Sequence, residues 1–254
     1  MIIGLIAVGT FVGIISGFFG VGGGMILVPM LMALGFDIKS AIAISTVQMV
    51  FSSVNGSIMN YIKGKLQVNE GVWVGVGGLL GGVVGARLTD LLPHETLQYI
   101  FLALILFALW RLLSAKKPHP DQEEGTFSKA VLFVIGFGIG IIAMMLGVGG
   151  SVMLTPILVG FLHFPTKKAA TAGLFFVVFS SIAGLGYKLA AGTFADLSLD
   201  WTQVLSVAFA ALVGVMAGIW LKDKVHDTHH RLSLIVLYVV ILGLLVEKIF
   251  FLGS

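Results

Sequence analysis

The sequence predicts an all-α polytopic membrane protein whose two homologous halves are inverted repeats. Each half has a glycine-broken first segment, re-entrant or discontinuous, followed by three transmembrane helices. Hydrophobic residues make up 58% of the 254 residues and charged residues only 11%, whereas soluble domains carry about 25% charged residues. The apolar residues form long uncharged runs, and a glycine-rich interruption occurs twice, at equivalent places of the chain. These three observations lead to the fold class.

Eight uncharged runs mark the predicted membrane segments. In chain order they are Met1–Phe36, Ala41–Tyr61, Gly71–Ala86, Thr96–Trp110, Ala130–Thr166, Ala169–Tyr187, Trp201–Leu221 and Leu232–Val246. Most of them suit a single spanning helix of roughly 17–25 residues. The first run is longer than one crossing requires. Its residues would form about 54 Å of helix, whereas the hydrocarbon core is about 30 Å thick. We therefore expect the first run, and the fifth with it, to break or fold back.

Each of these two long segments is interrupted by consecutive glycines. Gly20–Gly24 contains four glycines ahead of Pro29, and Gly147–Ser151 contains three ahead of Pro156. A glycine inside a helix costs about 1 kcal/mol relative to alanine, and a proline removes a helix hydrogen bond. Broken backbone in a membrane is tolerated only where it is buried in protein or lines a cavity. The two breaks therefore predict a transport site.

The breaks belong to an internal repeat that covers the chain. Gly20, Gly22, Gly23 and Pro29 recur 127 residues later, and Lys39, Ser52, Ser53, Gly64 and Trp73 recur 128 residues later. The predicted domains are a first membrane repeat at 1–113, a polar linker at 114–128 and a second membrane repeat at 129–252. The halves are therefore expected to share one architecture.

The charge distribution favours broken segments that make no net crossing. In that topology one side of the membrane holds eleven Lys and Arg residues and the other four, whereas single crossings throughout would divide them seven against eight. The larger group is Lys63, Lys65, Arg111, Lys116, Lys117, Lys129, Lys167, Lys168, Lys222, Lys224 and Arg231. By the positive-inside rule the linker is cytoplasmic, and both termini and the Lys39 loop lie outside. Such halves are inverted, so their breaks enter from opposite faces and can meet near the midplane.

The helix restarting after each break predicts an anion site. Such a helix presents unpaired N–H groups and the positive end of its dipole, and glycine lets a ligand approach the backbone. The candidate residues are Gly22, Gly23, Gly24, Gly149, Gly150 and Ser151. The alternative role of membrane glycines, close helix crossing, is predicted instead for the regularly spaced Gly77, Gly81 and Gly85.

The segment Ala41–Tyr61 adds candidate side chains. At 100° per residue, Ser45, Gln48, Ser52 and Asn55 form one polar stripe. Polar stripes on membrane helices face protein or water rather than lipid, so Gln48, Ser52 and Asn55 are candidates for substrate contact, with interhelical hydrogen bonding as the alternative. Phe176 stands where the repeat would place a second Gln48, and the predicted site is therefore asymmetric.

Charged residues are absent from the middle of every predicted span. A cation would have to rely on neutral oxygens, while backbone N–H, hydroxyl and amide groups can hold an anion. The chain has no cysteine, and its histidines lie in loops or at span ends, so neither an enzyme nor a metal or cofactor site is predicted. The basic residues are scattered at span ends, which argues against nucleic-acid binding.

The motif Gly13-x-x-Ser16-Gly17-x-x-Gly20-x-Gly22-Gly23-Gly24, followed by Pro29 and repeated around Gly147–Pro156, resembles the TauE/SafE sulfite-exporter family of bacterial membrane permeases. The resemblance covers nearly the whole chain. It implies transport of small sulfur-containing anions such as sulfite, sulfoacetate or thiosulfate. Ser151 stands in place of the third glycine of the second repeat.

The resulting hypothesis is a multi-pass bacterial inner-membrane permease that carries a small anion by alternating access. The expected partners are the anionic substrate and the lipid bilayer, and the glycine stripe in Gly71–Ala86 could pack either within one chain or between two copies in a homodimer. The alternatives left open are a carrier for amino acids or other small zwitterions, a passive anion channel and a membrane assembly partner.

Overall fold

The computed structural model describes residues 2–19, 22–62, 68–114, 128–160, 166–222 and 227–250, and the regular elements among them are all helices. They are α1 (Ile2–Phe19), α2 (Gly24–Ala33), α3 (Ile38–Ile62), α4 (Val68–Leu91), α5 (His94–Ser114), α6 (Lys129–Leu146), α7 (Ser151–Gly160), α8 (Thr166–Ala190), α9 (Thr193–Asp196), α10 (Trp201–Lys222) and α11 (Asp227–Phe250). The predicted all-α fold is confirmed. The predicted linker, apart from its two ends, lies outside the described residues.

Membrane-spanning helices occur in both halves. Among the described residues, five helical stretches are long and apolar enough to cross a bilayer: Ile38–Met59, Gly71–Leu91, Lys129–Leu146, Ala172–Ala190 and Trp201–Leu221. Two shorter apolar helices, Ile2–Phe18 and Gly24–Ala33, accompany them. The chain is therefore an integral multi-pass membrane protein.

Both long segments break where the glycines predict. α1 ends at Phe19 before α2 begins at Gly24, and α6 ends before α7 begins at Ser151. Gly149 and Gly150 adopt φ of 85° and 70°, a left-handed conformation that residues with a Cβ rarely take. α2 and α7 have 10 residues each, which gives about 15 Å of helix, half of a hydrocarbon core.

The two halves exchange their first helices. α1 packs along α10 of the second half, and α6 packs along α4 of the first half. Glycines allow the backbones to touch, because an added Cβ would overlap a carbonyl oxygen of the facing helix: Gly13 meets Ala211, Gly17 meets Val215, Gly77 meets Phe133, Gly81 meets Phe137 and Gly85 meets Ile141. Close crossing is thus confirmed for Gly77, Gly81 and Gly85. Their stripe is used within the chain and is no evidence for a dimer.

The same contacts give the helix directions. Residue numbers rise together along α1 and α10, and along α4 and α6, so each of these pairs is parallel. On α3 and α8 the order is opposite: Met49 and Val177 both lie by Gly149, while Gly56, farther along α3, lies by the earlier Leu174. α3 and α8 occupy equivalent places in the two repeats and run antiparallel.

One end of the bundle is defined by contacts around Asp90, the penultimate residue of α4. The Lys39 Nζ donates to the Asp90 carbonyl oxygen at 2.8 Å, and the Thr193 hydroxyl donates to Asp90 Oδ2 at 3.3 Å. The start of α3 and the end of α4 therefore meet α9, just after the end of α8, at what we call the Lys39 face. α10 starts from the same face, since its Trp201 stacks on Phe194 of α9. α1, parallel to α10, begins there too, so α1 and α2 together make no net crossing.

Candidate functional site

The two glycine breaks contact each other. An added Cβ on Gly24 would overlap the carbonyl oxygen of Gly147, and one on Gly22 would lie 3.2 Å from the Ser151 hydroxyl oxygen. Gly22, Gly23, Gly24, Gly147, Gly149, Gly150 and Ser151 are all buried. The breaks thus form one buried site, which we call the glycine junction.

Gln48 is the amide side chain that α3 brings to the junction. It is fully buried, and an added Cβ on Gly23 would lie 2.6 Å from its Nε2 atom. Neither the amide nitrogen nor the amide oxygen has a hydrogen-bond partner among the described residues. A buried polar group left without a partner costs about 1–3 kcal/mol. The amide is therefore suited to a ligand that supplies the missing hydrogen bonds.

Ser151 presents a second unpaired group at the junction. Its side chain is buried, and its hydroxyl oxygen has no partner among the described residues. As the first residue of α7 it lies at the positive end of the helix dipole, although its backbone N–H already donates to the Gly149 carbonyl oxygen at 2.9 Å and those of Met153 and Leu154 donate to Gly150. The unpaired group is therefore the hydroxyl, which offers a hydrogen-bond donor beside the positive end of a helix dipole, an environment that favours anions.

The junction is asymmetric. Phe176, the repeat equivalent of Gln48, occupies the space beside Gly150, where an added Cβ would lie 2.6 Å from its ring. An added Cβ on Gly149 would lie 2.9 Å from the Met49 sulfur. Apolar side chains therefore cover this side of Gly149 and Gly150, and the polar groups lie around Gly22, Gly23 and Ser151.

Ser52 and Asn55 lie farther along α3. They follow Gln48 by one and two helical turns, about 6 and 10 Å along the axis. The Ser52 hydroxyl donates to the Met49 carbonyl oxygen at 3.3 Å, and Asn55 is half-buried. The structure thus brings Gln48 to the junction, while substrate contact by Ser52 and Asn55 stays a prediction.

Two hydroxyls that the sequence analysis did not select as candidates for substrate contact bind carbonyl groups at the end of α6. The Ser45 hydroxyl donates to the Gly147 carbonyl oxygen at 2.8 Å, and the Thr89 hydroxyl donates to the Met145 carbonyl oxygen at 3.0 Å. Carbonyl groups at a helix end lack partners within the helix. Ser45 shares a stripe with Gln48, but its acceptor lies in the other half, so only the fold reveals this structural role.

A charged group is buried at the Lys39 face. The Lys188 side chain is fully buried, with its Nζ 3.8 Å from Asp90 Oδ1. In the sequence Lys188 is a basic residue near the end of a span, where snorkelling to water is the usual outcome. The sequence gives no sign of its burial.

Asp37 lies outside the spans and directly precedes α3 at the same face. Burial acts to raise the pKa of its carboxyl, but the Ser40 hydroxyl and N–H, the charge of His94 and the Lys39 N–H outweigh it, so the pKa lies below its usual value. The carboxylate is thereby held as the cap of α3.

The described side chains at the junction are uncharged, and the donors are amide, hydroxyl and backbone N–H groups. Such a set can bind a small ligand through hydrogen bonds. Among the described residues no group of three or more His, Asp or Glu side chains could hold a metal ion. Because the junction is buried in this conformation, a ligand can reach it only when the surrounding helices move.

Comparisons with known proteins agree with this architecture. The family model "Sulfite exporter TauE/SafE" matches residues 5–245. The chain is 25% identical to the probable membrane transporter protein YdhB of Bacillus subtilis, over 87% of this chain and 88% of that protein. It is also 25% identical to the probable membrane transporter protein YunE of the same organism, over 97% of this chain and 98% of that protein. A probable membrane transporter protein of Methanocaldococcus jannaschii is 26% identical over 91% of this chain and 90% of its own length. No solved structure matches the chain.

Proposed function

Because this chain belongs to the sulfite exporter TauE/SafE family, we propose that this multi-pass membrane transport protein carries a small sulfur-containing oxyanion or organosulfonate by alternating access. The substrate class is that of sulfite, sulfoacetate and thiosulfate. The anion would bind at the glycine junction. Its predicted contacts are the backbone of Gly22, Gly23, Gly24, Gly149, Gly150 and Ser151, completed by Gln48, Ser52 and Asn55.

The observation that carries the proposal is the pair of unpaired polar side chains at the junction. The Gln48 amide and the Ser151 hydroxyl are buried without partners, beside two helix starts whose dipoles favour negative charge. An oxyanion has several acceptor oxygens and could accept hydrogen bonds from both groups at once. A cation would meet the positive ends of the same helices, so the arrangement favours an anion.

The helix directions support alternating access between inverted halves. α3 and α8 are equivalent in the two repeats and antiparallel, which is what inversion requires of a pair related by an axis in the membrane plane. The junction lies between the halves, so their relative movement would open it to one face and then the other. We further propose an inner-membrane location with a cytoplasmic linker and external termini, as the loop charges favour.

The test is flux of radiolabelled sulfite into liposomes that contain the purified protein, with sulfate as the competing oxyanion and with and without a pH gradient. We expect saturable flux above that of empty liposomes, with sulfite preferred over sulfate. Flux that rises linearly with concentration would indicate a channel instead. Absence of flux for sulfite, thiosulfate and sulfoacetate, together with flux of an amino acid, would replace the anion with a zwitterion.

The variant Gln48→Ala tests the junction. We expect the KM for sulfite to rise about tenfold, since a hydrogen bond to a charged group contributes about 1.5–3 kcal/mol. The matched control is Gln98→Ala in α5, which removes an amide away from the junction. Expression and thermal stability should be retained in both variants, because Gln48 makes no hydrogen bond to the described residues. An unchanged KM in Gln48→Ala would exclude this residue from the site.

A further inference from the structure

A group of charged residues lies apart from the uncharged glycine junction, at the Lys39 face. Its members are Lys39 at the start of α3, Asp90 at the end of α4 and Lys188 at the end of α8. The Lys188 Nζ is 3.8 Å from Asp90 Oδ1 and has no hydrogen-bond partner among the described residues, although the side chain is fully buried. We call these three residues the Lys188 cluster.

The Lys188 ammonium has no hydrogen-bond acceptor within hydrogen-bond distance among the described residues. It has three N–H donors, and 3.8 Å exceeds the distance of a charge-assisted hydrogen bond, about 2.7–2.9 Å. The nearby carboxylate already accepts a hydrogen bond from Thr193, and Lys39 donates to the backbone carbonyl of Asp90. A buried ammonium without good acceptors is costly. The ammonium therefore lacks a hydrogen-bond acceptor at close distance.

The charges of the cluster do not balance. Two lysines share one carboxylate, so one positive charge is in excess when both lysines are protonated. Asp37 also lies at this face, and its oxygens already accept from Lys39 N, Ser40 N and the Ser40 hydroxyl, with His94 3.8 Å away. A small anion beside the two lysines would balance the excess positive charge.

The residue types of the cluster are not repeated at the equivalent positions of the other half. At the 128-residue offset of the repeat, Lys39 corresponds to Lys167, but Asp90 corresponds to Gly218 and Lys188 to Asn60. The buried pair therefore has no counterpart at the positions that the repeat makes equivalent.

We infer that Lys188 and Lys39 form a second binding site for a small oxyanion at the Lys39 face, with Asp90 as the counter-ion that the arriving anion displaces from Lys188. The nature of the anion rests on the proposed function, since the substrate would occupy this site before or after the glycine junction. The site serves one face of the membrane and so makes binding from the two sides unequal.

The test uses the purified full-length protein in detergent and measures the rise of its melting temperature with increasing sulfite or thiosulfate at constant ionic strength. We expect Lys188→Met to raise the anion concentration for half-maximal stabilisation about tenfold, and Asp90→Asn to lower it, because Asp90 competes with the anion. Lys188→Arg, which keeps the charge, should remain close to the wild type. The control is Lys129→Met, which removes a lysine at the opposite end of the molecule.

Opposite effects of the two charge-removing variants are the signature of this site. An anion bound only at the glycine junction would stabilise Lys188→Met, Asp90→Asn and the wild type equally, and that result would overturn the inference. Equal weakening in both variants would overturn it as well and would make the cluster a structural ion pair. If Lys188→Met does not fold, the partly buried Lys39→Met decides between the same outcomes.

The two proposals fail separately. If liposomes with the wild-type protein carry sulfite and Lys188→Met retains the wild-type anion dependence, the second site is wrong and the transport proposal stands. If no sulfite, thiosulfate or sulfoacetate flux occurs but stabilisation by these anions still depends on Lys188, the site stands and the transport proposal is wrong.

Discussion

At the scale of single residues, the hydroxyl groups at the glycine junction divide into one that is paired and one that is not. Ser45 donates to the Gly147 carbonyl oxygen, so it holds the end of α6 in place. Ser151 is just as buried but donates to no described residue. Native proteins seldom leave buried polar groups unpaired, and such groups are most useful where a ligand completes them.

This difference predicts opposite behaviour of two conservative variants. Ser45→Ala leaves the Gly147 carbonyl group without its donor, so we expect a loss of about 1–3 kcal/mol in the free energy of unfolding. Ser151→Ala removes an unpaired hydroxyl, so stability should stay the same or rise while the KM for sulfite increases. Thermal unfolding and flux in liposomes measure the two effects. Equal destabilisation without a change of KM would assign both serines a structural role.

The residue scale also shows how far the sequence can predict. Gln48 could be selected because its stripe on an apolar helix is polar, a local property of the segment. The asymmetry of the junction followed from the repeat, which aligns Phe176 with Gln48. The burial of Lys188 could not be predicted, because it depends on Asp90 and Lys39 arriving from two other helices. Contacts between distant segments carry no local signal.

At the scale of helices, glycine has two separate functions in this protein. Consecutive glycines end α6 and permit the left-handed turn before α7, as Gly149 and Gly150 show. Regularly spaced glycines instead bring parallel helices into backbone contact, as along α4 and α6. The spacing alone distinguished these functions in the sequence. The partner helices were not predictable, since several segments carry small residues at the same spacing.

A pair of glycine variants tests the second function. An added Cβ on Gly81 would overlap the Phe137 carbonyl oxygen of α6, whereas one on Gly186 of α8 would meet no atom within 4 Å. We expect Gly81→Ala to lower the free energy of unfolding by about 1–3 kcal/mol through overpacking. Gly186→Ala should be neutral or stabilising by up to about 1 kcal/mol, because alanine favours the helix. Unfolding of the purified variants in detergent measures both, and equal stability of the two would contradict the close crossing.

At the scale of the whole molecule, the arrangement of faces follows from the paired helices. α1 starts at the Lys39 face and α2 returns the chain to it. α3, α4 and α5 then carry the chain to the opposite end. The loop charges of the sequence favoured this path, because only segments without net crossing separate the basic residues. The relation of the halves by inversion remains a prediction, which the antiparallel α3 and α8 support.

Single cysteines test this arrangement directly, because the chain has no cysteine of its own. Ser114 ends α5, and Ser198 follows α9 at the Lys39 face; both are exposed. We expect a membrane-impermeant thiol reagent applied to intact cells to label Ser198→Cys and to label Ser114→Cys only after the cells are opened. Labelling of both variants from the same side would contradict the inverted arrangement.

The exchange of first helices between the halves has a consequence for how the chain is made. When α1 leaves the ribosome, the helix that will cover its glycine face, α10, follows roughly 200 residues later, and such distant contacts form late. The first half therefore enters the membrane with the small-residue faces of α1 and α4 uncovered. Its native packing is completed only by α6 and α10 of the second half. We therefore expect the two repeats to fold together rather than one after the other.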